Sequence, residues 1–313
     1  MTEAGSLTPA QREQVLGLAA AAASQDGVTP LSEQAMLHIR YGDTAGADAG
    51  AGTGPDGRAG DRQPGPDGGD LLATAGGAII GYAHLEWEEP GVASAELVVR
   101  PDHRRQGTGR TLLTALTQRA GSGQLRVWAH GDLPAAAALA RSARLSRVRA
   151  LFRMSRPLRE PLPEPALPAG VTLRTFVPGH DEDGWLALNA AAFAHHPEQG
   201  AWTRADLNLR EREKWFDPAG FFLAERDGRL TGFHWTKVHD GKTGEVYVVG
   251  VDPAEQGSGL GRALTLTGLR HLRDDRGLAE VMLYVDEANR AAVRMYTSLG
   301  FTLAATDVMY GTG

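Results

Sequence analysis

The sequence predicts an α/β protein built from two similar domains, each with a mixed, mostly antiparallel sheet flanked by helices. The chain has 313 residues, which suits about two domains of roughly 150 residues each. A glycine-rich turn that follows an apolar strand and opens a helix occurs twice, at Gly107–Arg110 and at Gly259–Arg262. Apolar runs and turn residues follow one another in the same order around both turns, which indicates a duplicated domain.

The first half begins with helical segments, followed by a hairpin, a strand, the glycine-rich turn, a helix and another strand. The helices are predicted at Pro9–Ala23 and Ser32–Tyr41, the hairpin strands at Asp70–Ala75 and Ala78–Glu86, and the last strand at Leu125–Ala129. Between the hairpin strands, the pair Gly76-Gly77 suits a two-residue turn, because such a turn requires positive φ angles.

The second half repeats this order and adds a closing helix and strand. Its elements are predicted at Glu182–Phe193, Arg204–Lys214, Gly220–Arg226, Arg229–His239, Val246–Val251, Val281–Val285, Asn289–Leu299 and Phe301–Met309. Asp227-Gly228 takes the place of the Gly-Gly pair in the hairpin turn.

Two segments interrupt these patterns. Thr44–Gly69 consists almost entirely of Gly, Ala, Asp, Pro and Arg without apolar periodicity, so we expect a flexible insertion. Arg156–Gly170 is rich in proline, which excludes a helix or a central strand and is typical of a linker. The predicted division is therefore a first domain at residues 1–156, a linker at 157–170 and a second domain at 171–313.

Composition narrows the class of function. The chain is 42% hydrophobic and 22% charged, as in globular proteins, and its formal net charge of −6 argues against binding to nucleic acid or to an anionic membrane. It has no cysteine, which excludes disulfides, a thiol nucleophile and cysteine-ligated zinc. The N-terminus lacks the basic region of a signal peptide and no apolar run is long enough for a membrane span, so we expect a cytoplasmic enzyme or binding protein.

The glycine-rich turn at Gln256–Arg262 predicts an anion-binding site. Successive backbone N–H groups converge in such a turn and add to the positive end of the following helix dipole. A P-loop would need Lys followed by Ser or Thr at its end, and a dinucleotide fingerprint would need the spacing GxGxxG, whereas the spacing here is GxGxG. The remaining interpretation is the pyrophosphate-binding loop of an enzyme that uses coenzyme A.

Both turns belong to a longer pattern, V-x-P-x-x-[QR]-x-x-G-x-G, which starts at Val99 and at Val251. This pattern resembles motif A of the GCN5-related N-acetyltransferases, and Asn289…Tyr296-x-x-x-Gly300-Phe301 resembles the C-terminal motif of the same family. The resemblance implies two tandem domains of this family and acetyl-CoA as the acetyl donor, with one molecule for each domain.

Four longer strings extend the resemblance to nearly the whole chain: His196–Gly200, Trp215–Gly220, Gly232–Lys237 and Gly244–Pro253. They are similar to a tandem branch of the family that acetylates the cysteinyl amine of cysteinyl-glucosaminyl-inositol. This implies a small-molecule pseudodisaccharide amine as substrate. Because a tandem pair of domains can take the place of a dimer of single domains, we expect a monomer, and we expect no metal, nucleic-acid or membrane partner. The alternatives are acetylation of another amine, such as a protein N-terminus, a lysine or an aminoglycoside, and a non-catalytic acyl-CoA sensor.

Proton transfer singles out two residues of the second half. An alkyl amine is largely protonated at pH 7, so a general base assists its attack on a thioester, and Glu245 begins the strand that leads into the anion-binding turn. The family places a tyrosine at the position of Tyr296, where it donates to the sulfur of the leaving thiolate. Because Ala93 aligns with Glu245 and Ala140 lies near the position of Tyr296, the first domain is predicted to be non-catalytic.

The resemblance also assigns binding residues. Acetyl-CoA in the second domain is expected to contact Val249, Gly250, Val251, Gln256, Gly257, Ser258, Gly259, Leu260, Gly261, Arg262, Asn289, Arg290, Ala291, Ala292, Val293 and Arg294. The corresponding set in the first domain is Leu97, Val98, Val99, Arg105, Gln106, Gly107, Thr108, Gly109 and Arg110. The amine substrate is expected to contact Glu33, Glu198, Lys237, Glu245 and Tyr284. The adjacent His195 and His196 have no third ligand nearby and are expected to be solvated.

Overall fold

A computed structural model describes residues 2–4, 6–42, 68–239 and 241–312 of the chain. The side chains of residues 2–4 and of Pro197 and Glu198 are outside this description, as is nearly all of the predicted insertion Thr44–Gly69. The chain forms two compact units. Unit 1 comprises Met1–Ala150 and Thr306–Gly313, and unit 2 comprises Leu151–Ala305.

Unit 1 is a mixed sheet with helices. Its helices are α1 (Pro9–Asp26), α2 (Glu33–Tyr41), α3 (Thr108–Ala120) and α4 (Pro134–Ser142). Its strands are β1 (Thr2–Ala4), β2 (Gly69–Ala75), β3 (Ala78–Glu89), β4 (Val92–Val99), β5 (Gln124–Ala129) and residues 306–311 of the last strand of the chain. Neighbouring strands are antiparallel except for β4 and β5, which are parallel.

Unit 2 repeats this plan. Its helices are α5 (Glu182–Ala192), α6 (Pro197–Gly200), α7 (Arg204–Glu211), α8 (Leu260–Arg270) and α9 (Arg290–Ser298). Its strands are β7 (Val171–Thr175), β8 (Phe221–Arg226), β9 (Arg229–His239), β10 (Thr243–Val251) and β11 (Glu280–Asp286). The parallel pair in this unit is β10 with β11.

Two strands cross the division between the units. Strand β6 (Ser146–Pro157) has residues 151–157 in unit 2, where they pair antiparallel with β11. Strand β12 (Thr302–Gly311) has residues 306–311 in unit 1, and its residues 308–311 pair antiparallel with β5. The compact units therefore differ in their limits from the domains at 1–156 and 171–313, because proline marks where a strand ends but not which strand it pairs with. That residues 157–170 link two separate domains stays a prediction.

The elements predicted from the sequence occur in the predicted order in both halves, including the two hairpin turns. The structure adds β7 before α5, and in the first half it has β6 after α4, so a closing helix and strand occur in both halves and not in the second alone. Gly76 and Gly77 have φ angles of 57° and 83°, and Asp227 and Gly228 have φ angles of 52° and 74°. All four residues adopt the left-handed conformation that a tight turn matching the strand twist requires. A capping box at Thr8 begins helix α1, with the Gln11 side chain accepting from the Thr8 amide at 2.8 Å.

A cluster of apolar residues lies between the sheet and the helices in each unit. In unit 1, Leu112 and Leu116 of α3 pack on β-strand residues that include Leu85 and Leu125. In unit 2, Leu266 and Leu269 of α8 belong to one cluster with residues of β10 and β11. Among the described residues, no helix combines the length and the apolar character that crossing a membrane requires.

Candidate active site

The parallel strand pair opens partway along its length in unit 2. Among the described residues, β10 pairs with β11 from Thr243 to Val246, whereas its pairing with β9 continues to Val251. A register shift between Val246 and Val248 leaves Tyr247 as a bulge residue in β10. At Val249, Gly250 and Val251, the backbone edge of β10 on the side of β11 is therefore not paired with another described strand. An extended ligand can use such an edge for backbone hydrogen bonds.

Unit 1 has the same opening. Pairing of β4 with β5 covers Val92 to Ala95, and β4 continues to pair with β3 as far as Val99. The predicted contact residues Leu97, Val98 and Val99 lie on the stretch of β4 that pairs with β3 but, among the described residues, not with β5, as their counterparts do in unit 2.

The glycine-rich turns follow these edges directly. In unit 2, Gly257 and Gly259 have φ angles of 81° and 90°, and Gly259 is the N-cap of α8 without a side-chain cap. Since such φ angles strain a residue with a Cβ, the conformation favours glycine at both positions. The amides of the first turn of α8 are left for an external acceptor, apart from a 3.4 Å contact from Leu260 N to Ser258 Oγ.

The turn of unit 1 differs in two respects. Gly107 has a φ angle of 92° at the N-cap of α3, as Gly259 has in α8, but Arg105 with a φ angle of 63° stands in place of Gly257. The Arg104 guanidinium makes two 2.7 Å hydrogen bonds to Asp26 and one to the Val99 carbonyl, so its charge is bound within the unit. The remaining predicted residues, Gln106, Thr108, Gly109 and Arg110, continue the turn into α3.

Glu245 lies in the interior of β10 and is 6% exposed. Its Oε2 is 2.6 Å from His239 Nε2 at the end of β9, a contact that sequence reasoning missed. Lys237 is its direct antiparallel partner and Met282 its parallel partner, so all three side chains are on one face of the sheet. Tyr284 follows Met282 by two residues and shares this face.

The structure thus brings Lys237, Glu245 and Tyr284 to one face of unit 2. Lys237 is buried, with its Nζ 4.4 Å from the ring centroid of Trp215 and 5.0 Å from that of Tyr247. The Tyr247 hydroxyl accepts a 2.8 Å hydrogen bond from Arg210 Nε. Lys237 is therefore packed against two aromatic rings, one of which also binds Arg210, and such a group of rings and cations can position a polar ligand.

For two further predicted substrate residues, the structure shows no position beside Lys237, Glu245 and Tyr284 among the residues that it describes. Glu33 is the first residue of α2 in unit 1. Glu198 lies in α6, and its side chain is outside the described part of the chain. Their roles stay predictions.

Tyr296 lies in α9 and is 8% exposed. Its ring packs in the same cluster as Val246 and Leu283, whose side chains point to the sheet face opposite Glu245, and it meets Phe301 edge to face at 5.8 Å. Burial raises the pKa of its phenol to about 12, so the hydroxyl keeps its proton at neutral pH. The phenol is therefore a hydrogen-bond donor at this place.

The start of α9 holds the remaining predicted contacts of acetyl-CoA, Asn289, Arg290, Ala291, Ala292, Val293 and Arg294. Asn289 is the N-cap, and its Oδ1 accepts from the Ala292 amide at 3.1 Å. On α8, Arg262 Nη1 donates to Ser298 Oγ at 2.9 Å, which ties the helix after the anion-binding turn to α9.

Comparison with known proteins identifies the class. Residues 187–301 match the family described as "Acetyltransferase (GNAT) family", and residues 67–143 match the "Acetyltransferase (GNAT) domain". The chain belongs to the GNAT acetyltransferases, and it uses acetyl-CoA as these enzymes do. The predicted family resemblance is confirmed.

More similar relatives carry a particular name. The protein of Thermobispora bispora, named "Mycothiol acetyltransferase", is 58% identical over 97% of this chain and 96% of its own. Proteins of the same name from Thermomonospora curvata (58%, over 97% of this chain and 94% of theirs) and Streptomyces coelicolor (52%, over 98% and 93%) are also similar. The predicted resemblance to one tandem branch of the family is confirmed as well.

Solved structures support the tandem fold. The "tandem GNAT protein from the clavulanic acid biosynthesis pathway" is 20% identical, with a TM-score of 0.68 over 96% of this chain and 94% of its own. A GCN5-related N-acetyltransferase from Sphaerobacter thermophilus is 23% identical, with a TM-score of 0.65 over 100% and 96%. The predicted α/β fold with two tandem domains is confirmed.

Proposed function

We propose that unit 2 transfers the acetyl group of acetyl-CoA to the cysteinyl amine of cysteinyl-glucosaminyl-inositol, the last step in making mycothiol. The observation that carries the proposal is the combination found in unit 2: an opened strand pair, a buried carboxylate beside it, and a protonated phenol beneath it. Relatives named for mycothiol acetylation at up to 58% identity support the choice of acceptor.

The ammonium group of the acceptor first loses one proton to solvent, and the neutral amine then loses a second proton as its nitrogen attacks the thioester carbonyl and becomes an amide. Glu245 is the acceptor of that proton, either directly or through one water, and His239 holds its carboxylate in place at 2.6 Å. Nitrogen then bonds to the carbonyl carbon, and the C–S bond of the tetrahedral intermediate breaks. The proton taken up by Glu245 passes to solvent.

Tyr296 acts on the leaving group from the other face of the sheet. Its hydroxyl donates a hydrogen bond to sulfur as the C–S bond breaks. A phenol with a pKa of about 12 is a weaker acid than a thiol, whose pKa is near 8.5, so complete proton transfer to the thiolate is uphill. The hydrogen bond stabilises the developing thiolate, and we expect its effect on rate to be modest.

Acceptor binding falls to the face that carries Glu245. Lys237 and Tyr284 supply polar groups for a polyhydroxylated ligand, and Glu198 is proposed as a further carboxylate for its cationic amine. Glu33 stays a predicted substrate residue. We expect no nucleic-acid partner, because the chain is acidic overall.

Unit 1 is proposed to bind a second acetyl-CoA without turning it over. It retains the opened strands and the turn at Gly107, but has alanine at positions 93 and 140. The two units supply within one chain what two single-domain subunits would supply, and we therefore propose a monomer in a cytoplasmic setting. The molar mass measured by light scattering coupled to gel filtration tests whether the protein is a monomer.

The function is tested by turnover of acetyl-CoA with purified cysteinyl-glucosaminyl-inositol, following the free CoA thiol. A lysine peptide, a peptide with a free N-terminus and an aminoglycoside serve as competing acceptors. We expect the cysteinyl amine to have the highest kcat/KM. A higher value for any other acceptor, or absence of turnover with all of them despite acetyl-CoA binding, contradicts the proposal.

A further inference from the structure

A buried polar cluster in unit 1 lies outside the candidate active site. Asp70 on β2 is 2% exposed. His84 Nδ1 on β3 is 2.8 Å from its Oδ1, and His38 Nε2 on α2 is 3.3 Å from its Oδ2. The Tyr82 hydroxyl donates to Oδ1 at 2.7 Å. One ligand atom each from His38, Asp70 and His84 lie within 4.8 Å of one another.

The equivalent hairpin in unit 2 shows that the fold does not require these polar residues. Asp70 pairs with His84 across β2 and β3, as Phe221 pairs with Trp235 across β8 and β9. Phe221 and Trp235 are fully buried and stack with ring centroids 4.5 Å apart. Because a buried carboxylate costs several kcal/mol unless it is compensated, an apolar pair is the simpler solution for this backbone. Unit 1 therefore keeps a charged group where packing alone does not need one.

The cluster is accessible from a cavity within unit 1. The cavity has a volume of about 310 Å³, and its lining includes Ser32, His38, His84, Trp87 and Glu96. The side chains of His38 and His84 are 23% and 15% exposed, in contrast to the buried Asp70. An ion entering the cavity can reach both imidazoles, and a water or small ligand can complete its coordination from the open side.

We propose that His38, Asp70 and His84 bind one divalent transition-metal ion, with Zn²⁺ as the ion to test. Two imidazoles and a carboxylate are a ligand set that zinc accepts, with a fourth position left open. Metal–ligand bonds of about 2.0–2.2 Å place neighbouring ligand atoms roughly 3.4 Å apart in a tetrahedral site. The 3.3 Å from His38 Nε2 to Asp70 Oδ2 fits this value, whereas the 2.8 Å from His84 Nδ1 to Asp70 Oδ1 must lengthen by about half an ångström. Because the two imidazoles face different oxygens of Asp70, the carboxylate would bind the ion through both oxygens or turn to present one.

The surroundings prepare Asp70 for this role. Tyr82 donates to Oδ1 and thereby orients the carboxylate, as outer partners of metal ligands do. Glu96, which accepts from the Ser32 amide at 2.7 Å, adds a second carboxylate to the cavity wall.

Metal binding would join α2 to the hairpin of β2 and β3. His38 and Asp70 lie on either side of residues 43–67 in the sequence, so a bound ion would close a long loop of the chain. Closing a loop lowers the entropy of the unfolded chain, and an ion bound only by the folded state stabilises it by mass action. A rise in Tm with Zn²⁺ is therefore expected together with binding.

The test uses the full chain, freed of metal by a chelator and titrated with Zn²⁺ in a calorimeter and in thermal unfolding. We expect one Zn²⁺ per chain with micromolar or tighter affinity, and a higher Tm. His38→Gln and His84→Gln should each weaken binding by more than the about 10–100-fold typical of an outer partner, and Tyr82→Phe by about 10-fold. The matched control is His103→Gln, which changes a partly exposed histidine 2.8 Å from Asp102 in the same unit and should bind Zn²⁺ as the wild type does.

The proposal is overturned if the wild type binds no Zn²⁺ at micromolar concentration, in which case the cluster is hydrogen-bonded only. It is also overturned if His38→Gln, which alters a partly exposed helix residue and should leave the fold intact, retains wild-type affinity. Neither outcome depends on acetyl transfer, because all the ligands lie in unit 1.

Discussion

The two units share one backbone opening but differ in the side chains beside it. Parallel pairing stops at Ala95 in unit 1 and at Val246 in unit 2, and a glycine with a φ angle near 90° begins the following helix in both. Unit 2 has Glu245 before the opening, where unit 1 has Ala93. The comparison separates two tasks. On the proposed function, the backbone edge and the turn are enough to hold a coenzyme, whereas acetyl transfer needs side chains that move protons.

The largest expected difference between the units comes from putting a carboxylate into each turn. Gly259→Glu places a negative charge at the proposed pyrophosphate site and should abolish detectable transfer. Gly107→Glu imposes the same charge and a similar backbone strain on unit 1, since the two φ angles are 90° and 92°. It should remove one of two bound acetyl-CoA molecules and leave turnover largely unchanged. Calorimetric stoichiometry and kcat measure both; a folded but inactive Gly107→Glu protein would reverse the assignment of the units.

Removal of the proposed base should come next in size. Glu245→Gln keeps the shape of the side chain but cannot accept a proton, so we expect a loss of about 10²–10⁴-fold in kcat at pH 7 with acetyl-CoA affinity retained. Glu280→Gln, an exposed glutamate on the neighbouring strand β11, is the control and should be as active as the wild type. Near-normal turnover of Glu245→Gln would refute its role as the base.

Tyr296→Phe should have a smaller effect. The ring and its packing against Phe301 are kept, and only the hydrogen bond to the leaving sulfur is lost, so we expect kcat to fall about 10- to 100-fold, at the low end for such catalysis. The deficit should shrink with acyl donors whose thiol is more acidic. Tyr310→Phe, in unit 1, is the control. A deficit that does not vary with thiol acidity would mean that Tyr296 only positions the substrate.

Two buried histidines offer a comparison of the units by stability. In unit 1, burial opposes protonation of His130, but Asp307 and Glu96 outweigh it and raise its pKa to about 10. In unit 2, burial lowers the pKa of His234 to about 4, although its Nδ1 donates to the Leu264 carbonyl. The charged His130 should add fully to the free energy of unfolding below about pH 6.5, and this contribution should be lost as the pH rises to about 10. His234 should lower the free energy of unfolding as the pH falls from about 6.5 to 4, because only the unfolded chain then takes up the proton.

Each histidine should change the free energy of unfolding by at most about 1.4 kcal/mol per pH unit, which gives one slope on the alkaline side and one on the acid side. Urea unfolding at a series of pH values should show that His130→Gln removes the alkaline slope and His234→Gln flattens the acid one. An alkaline slope unchanged in His130→Gln would show that its ion pairs do not stabilise unit 1.

The sequence alone was enough to predict the order of elements, both hairpin turns and the anion-binding turns. These features depend on local chemistry, since the positive φ angles at Gly76-Gly77 and at Gly259 favour glycine at those residues. The duplication was visible for the same reason, because equivalent residues repeat at equivalent places in each half. Glu245 and Tyr296 came from the resemblance to a known family, which supplied roles that local patterns do not contain.

Tertiary structure decided which strands pair and which distant side chains meet. Residues 308–311 pair with β5 in unit 1, and residues 151–157 pair with β11 in unit 2. The sequence gives no local signal for either partner. Likewise, His239 reaches Glu245 across a hairpin, and His38 reaches Asp70 from a helix 32 positions earlier. Strand pairing and side-chain contact depend on the position of the whole backbone in space, and this is determined by packing over many residues at once.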